Sequence, residues 1–103
     1  MAKLICIYWR DIPAQVLGRA GRGKVRRELS VRFQEAIDRA AMRAGRGSSD
    51  AYLDDWRRVT EPVEGDLEAL VAEKAEALEA EFTDEFLERV VKNKGLTEGV
   101  EKA

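Results

Sequence analysis

Six consecutive apolar or aromatic residues, Leu4-Ile5-Cys6-Ile7-Tyr8-Trp9, stand near the start of the chain, followed by the charged pair Arg10-Asp11 and then Ile12-Pro13. No later stretch is as apolar or as rich in β-formers, so the later helices need this one to pack on. Both alternating sets, Leu4/Cys6/Tyr8 and Ile5/Ile7/Trp9, are apolar. The pattern predicts a central strand over residues 3–9, covered on both faces.

The segments around it follow from turn and periodicity signals. Asp11 and Pro13 read as turn or edge residues, because proline removes a ladder donor. Residues 14–20 read as a second strand, Gly21-Arg22-Gly23 as a tight turn, and residues 24–29 as a third strand. Ser30 is placed to cap a helix whose apolar positions Phe33, Ile37, Ala40, Ala41 and Ala44 recur at helical spacing, and Gly45 ends it. Residues 47–50 form a loop. The run from 51 to 62 reads as a helical turn through Leu53, then a strand over residues 55–61. Asp66 caps a second long helix with the stripe Leu67, Leu70, Val71, Ala75, Leu78 and Phe82. Thr83 caps a third, shorter one buried through Phe86, Leu87, Val90 and Val91.

The fold expected is therefore α+β, an antiparallel sheet of three to four strands covered by two long helices and one shorter helix. Its 103 residues make one domain, over residues 1–96, with residues 97–103 a frayed tail. Neither an internal repeat nor a dividing linker is visible.

Composition narrows the chemistry. There is no histidine and one cysteine, Cys6, inside the apolar run. Ser-His and Cys-His nucleophile pairs, internal disulfides and zinc centres are excluded on that count. With no cofactor or metal motif and no basic-then-apolar leader, the expectation is a cytoplasmic protein. Net charge is −2, yet residues 1–60 carry +6 and residues 61–103 carry −8. Such a chain either steers partners to one face or attracts itself as it folds.

Three groups of residues invite a functional reading. Gly18-Arg19-Ala20-Gly21-Arg22-Gly23-Lys24 has P-loop spacing, but Val25 follows where magnesium needs a hydroxyl, and a strand follows where a helix is needed. It is not a nucleotide-hydrolysis site. The same segment holds Arg19, Arg22, Lys24, Arg26 and Arg27 with no acid among them, a cluster suited to nucleic-acid phosphates, an acidic protein or an anionic ligand. Against that stands a solvated hairpin, or one neutralised by the chain's own acidic helices. No aromatic interleaves the run, which argues against single-strand binding. Third, Tyr8, Trp9, Tyr52 and Trp56 lie near Arg10, Arg57 and Arg58 in sequence. This is the composition of an interface hot spot or of core packing at the sheet margin.

Tyr8-Trp9-Arg10-Asp11-Ile12-Pro13-Ala14-Gln15-Val16, with Arg32-Phe33-Gln34-Glu35-Ala36-Ile37-Asp38-Arg39-Ala40-Ala41 and Tyr52-Leu53-Asp54-Asp55-Trp56, resembles a small bacterial family of virulence factor proteins. The resemblance covers roughly residues 3–82. The same domain ends a larger conserved virulence factor, beside a scaffold-like domain and helical repeats, which implies an accessory or interaction module. Stand-alone members are encoded near corrinoid and tetrahydrofolate methyl-transfer enzymes, which implies such an enzyme as a candidate partner.

The reading that results is a non-enzymatic accessory module for a protein partner, with Tyr8, Trp9, Arg10, Asp11, Arg19, Arg22, Lys24, Arg26 and Arg27 as the interaction surface. The alternatives are an assembly factor for corrinoid or tetrahydrofolate-dependent methyl transfer, and nucleic-acid binding through residues 19–27. No cofactor, metal or membrane is implied.

Overall fold

The computed structural model describes residues 2–46 and 48–101; Gly47 of the expected loop and the last two residues of the expected tail lie outside them. Residues 2–28 form an antiparallel meander of β1 (Ala2–Trp9), β2 (Ile12–Ala20) and β3 (Gly23–Glu28). Then follow α1 (Val31–Arg43), α2 (Ser49–Asp54), β4 (Trp56–Val63), α3 (Leu67–Glu81) and α4 (Asp84–Lys92). β4 returns antiparallel to the free edge of β1, so the sheet has four strands in the order β3-β2-β1-β4. The fold is α+β, with β1 central.

α3 crosses the sheet face that carries Leu4, Cys6, Val16 and Gly18. Gly18 is the contact point. A Cβ there would stand 2.7 Å from Val71 Cγ2 and 2.8 Å from Leu67 Cδ1. Gly18→Ala should therefore push α3 off the sheet and cost about 1–2 kcal/mol, an overpacking effect readable by urea denaturation; an unchanged midpoint would show that α3 yields freely there. α1 and α4 pack on each other and carry the same core past the Trp9–Ile12 end of the sheet. Phe33, Phe82 and Phe86 interlock at their junction, with neighbouring ring centroids 6.0 and 5.1 Å apart.

Three expectations are corrected. β1 is central but helices cover only one of its faces. Ile5 and Ile7 lie outside the core cluster, and Ile5 is buried by its neighbours on the sheet. The run is apolar on both sides because a central strand is shielded laterally, even where no helix sits above it.

Pro13 lies inside β2, buried, and not in a turn. The pairing slips there: Ile7 faces Gln15 while Tyr8 faces Pro13, leaving Ala14 as the extra residue of a bulge.

Ser30 precedes α1 without capping it by its side chain. Its N–H and hydroxyl instead donate to the Glu79 carboxylate at 2.7 and 2.8 Å. Burial alone would raise the Glu79 pKa, but these bonds and the Arg32 guanidinium more than reverse it and hold it below the usual carboxylate range. Asp66 and Thr83 do cap α3 and α4, accepting from Glu68 N and Phe86 N.

Within the segment expected as a tail, two residues make contacts with the rest of the chain. Thr97 is bonded to Asp11, and Val100 packs against the core.

Candidate functional site

The residues singled out in sequence occupy two places. Arg10-Asp11 is the tight turn between β1 and β2, with Arg10 at φ 52°, a left-handed value that a non-glycine residue holds only when its surroundings fix it. The surroundings do. Arg10 N–H donates to Asp55 O at 3.0 Å, its Nε to Asp55 Oδ2 at 3.2 Å, and its Nη1 to Lys94 O at 2.9 Å. Arg46 Nε joins the same Asp55 oxygen at 2.8 Å. Asp11 accepts from Thr97 N, Thr97 Oγ1 and Arg57 Nη2, while its own N–H donates to Gly95 O.

Beneath this lattice Trp9 is fully buried. Its indole N–H donates to Tyr52 O at 2.9 Å, its ring stacks on Tyr52, and a Cβ on Gly95 would come within 2.9 Å of it. Gly95 has φ 87°, so both space and backbone require glycine there. Tyr8 lies half-buried beneath the Arg57 guanidinium at 4.7 Å, and burial pushes its hydroxyl pKa up. The Tyr8–Asp11 string is thus a corner that ties the first hairpin to α2, β4 and the chain after α4. Of the two readings of the aromatic group, core packing at the sheet margin describes Trp9 and Tyr52.

The basic hairpin is at the far end of the sheet. Ala2 pairs with Ala20 and Ala20 with Gly23, whereas Trp9 pairs with Ile12. The two groups are separated by the length of β1, about 25 Å at roughly 3.3 Å per residue. The structure does not bring them together.

The pairing register also divides the hairpin. Residues opposite one another in an antiparallel pair share a face. One row runs Lys24, Arg19, Lys3 and Pro62; the next Arg26, Leu17, Ile5 and Thr60; the third Glu28, Gln15, Ile7 and Arg58. All three lie on the face that α3 leaves uncovered. Arg27 pairs with Val16 and belongs to the helix-side face, and Arg22 is at the turn tip.

The open face thus has an aliphatic centre, Ile5, Ile7 and Leu17, surrounded by exposed Lys3, Arg19, Lys24, Arg26 and Arg58. Glu28, 3.5 Å from Arg26, supplies the ion pair this group makes among the described residues. The acids of α3 do not neutralise it. Glu79 of α3 is held by Arg32 of α1, while the α3 lysine Lys74 reaches Glu61 of β4. Two depressions of about 400 and 320 Å³ meet at Gln15 and Trp56 on the α1 side of this face, and Gln15 Oε1 is buried there without a hydrogen-bond donor.

Sequence reasoning missed Lys3 and the aliphatic centre, and grouped Arg58 with the aromatic residues instead of with this face. The signal was present: a two-residue turn at Gly21-Arg22 sets Arg19 opposite Lys24 and Leu17 opposite Arg26. Cys6 is buried, with its thiol pKa raised first by that burial, and no cluster of metal-ligating side chains occurs among the described residues. No helix of the described residues is long and apolar enough to cross a membrane.

A small α+β domain with one open sheet face defines the class. Residues 7–91 match the family described as Virulence factor, and the chain belongs to that family. Comparison with curated proteins and with solved structures gave no match.

Proposed function

We propose that the protein is a non-enzymatic interaction module whose open sheet face docks an acidic protein surface. The basic ring of Lys3, Arg19, Lys24, Arg26 and Arg58 around Ile5, Ile7 and Leu17, in which only Arg26 has an ion partner among the described residues, carries the reading. An apolar centre within a polar rim is the anatomy of a protein interface, and the net positive charge of the rim, five cations against Glu28, selects a partner of the opposite sign. Nucleic acid fits less well, since the centre of the face is aliphatic where base stacking calls for aromatic rings. The Tyr8–Asp11 corner supports the face without belonging to it.

The test is affinity purification of tagged protein from its host at low salt after nuclease treatment, alongside the variant Lys24→Glu, Arg26→Glu, Arg58→Glu. These side chains are exposed, so the variant should keep its fold to within about 0.5 kcal/mol per site. A stoichiometric acidic partner is expected with the wild type, released by salt and weakened at least about tenfold by the charge reversals. Partner recovery that ignores the reversals, or recovery that disappears with nuclease, would overturn the reading.

A further inference from the structure

The sheet has two outer edges, and they are not equally protected. β3 is six residues long and carries Lys24, Arg26 and Arg27, the short charged edge that resists pairing with another chain. β4 runs eight residues, Trp56–Val63, and its charges are of both signs, Arg57 and Arg58 beside Glu61, so it does not repel a second copy of itself as the basic β3 edge would. α3 packs chiefly over β1, β2 and β3 and reaches β4 through Lys74 to Glu61, leaving Val59 on the helix-side face 43% exposed.

Which backbone groups of β4 point outward follows from its pairing with β1. Arg10 N donates to Asp55 O in the same register as Tyr8↔Arg57 and Cys6↔Val59. Antiparallel ladders alternate bonded and non-bonded pairs, so Arg57, Val59 and Glu61 spend their backbone groups on β1. Trp56, Arg58, Thr60 and Pro62 turn theirs outward. Pro62 agrees with this parity, because its missing N–H falls on the outer side. None of the outward groups of Arg58 or Thr60 has a partner among the described residues.

From these features we infer that β4 is a self-association edge, and that a second copy of this chain pairs antiparallel along it about a two-fold axis at Val59. Outward groups can meet only outward groups, so Arg58 N–H and C=O bond Thr60 of the second copy and the reverse. Trp56 N–H donates to the carbonyl of Pro62 of the second copy. Side chains agree with this register. The two Val59 side chains face each other at the axis, and Arg57 stands opposite Glu61 of the second copy, a pair that occurs twice. Shifting the axis to Arg58 sets arginine against arginine. Shifting it to Thr60 sets Val59 against Glu61 and leaves Arg57 facing Val63. One register satisfies both the backbone and the charges. The product is a continuous eight-stranded sheet with α3 of both copies on one side and both open faces on the other. This interface is independent of the docking proposed above, because it uses an edge and not a face.

Sedimentation equilibrium over a concentration series reaching about 1 mM should show reversible conversion to twice the 11.6 kDa monomer mass. Val59→Lys places two like charges at the axis and should raise the dissociation constant by at least about 100-fold while leaving the monomer folded by circular dichroism. Register is read separately by cysteine substitution in a Cys6→Ala background. Val59→Cys should cross-link to itself under mild oxidation, because Cα atoms of a non-bonded pair lie about 4.5 Å apart, within disulfide reach. Val63→Cys should not. A wild type that stays monomeric throughout the series overturns the inference, as does a dimer indifferent to Val59→Lys or cross-linking equally at 59 and 63.

Discussion

Trp9→Ala is expected to lose about 4 kcal/mol of unfolding free energy and lower the melting temperature by roughly 20 °C. The indole is fully buried between Tyr52 and Gly95, and its N–H is bonded to the Tyr52 carbonyl. Truncation therefore removes a large apolar surface, opens a cavity beneath the corner and leaves a carbonyl without its donor. Since that loss is a large share of the stability of a domain this size, Trp9→Phe serves as the milder probe. It keeps most of the packing, loses the hydrogen bond and should cost about 1–2 kcal/mol. Denaturant midpoints of the two variants within about 0.5 kcal/mol of wild type would show that the indole holds nothing in place.

The double variant Arg10→Ala, Asp11→Ala should fall in stability by about 2–3 kcal/mol with partner recovery unchanged per folded molecule. Read from sequence, the same two residues were candidates for the partner surface, and their removal was expected to cost binding with little loss of stability. The bonds these two residues make lead us to expect a stability cost instead. Their side chains are engaged with Asp55, Lys94, Arg57 and Thr97, and the more exposed of those ion pairs contributes least. Backbone strain gives an internal control. At φ 52° glycine is at ease and alanine is not, so Arg10→Gly should be the less damaging of the two Arg10 variants. Intact stability with lost partner recovery would return the corner to the binding surface.

The helices were legible because α1, α3 and α4 each bury one stripe at helical spacing, and because Asp66 and Thr83 cap as their chemistry suggests. The meander was legible from alternation and from the glycines at 21 and 23. What was not legible is what lies far away in sequence. Ser30 looked like a cap because nothing local reveals that Glu79 would take its hydroxyl. Pro13 looked like a turn because no local sign marks Ala14 as the bulge that lets a proline lie within a strand.

The same limit governs the site. Tyr8–Asp11 and residues 19–27 were read as one surface, the aromatic string with its Arg-Asp pair beside the basic hairpin. Only strand register places them at opposite ends of β1 and recruits Lys3 and Arg58 in their stead. Apolar residues on both faces of β1 signalled a central strand, but they could not say that lateral neighbours would cover the second face in place of helices.

The corner has one more consequence, for how the chain is made. Thr97 closes on Asp11 across 86 positions, and Gly95 seals Trp9. During synthesis the first hairpin emerges with its tryptophan uncovered and has no complete pocket for it until residue 97 has left the ribosome. Since domains fold as units, final burial of that ring awaits residues 95–97, and any nascent fragment ending before the α4 exit lacks both the Gly95 and the Thr97 closures.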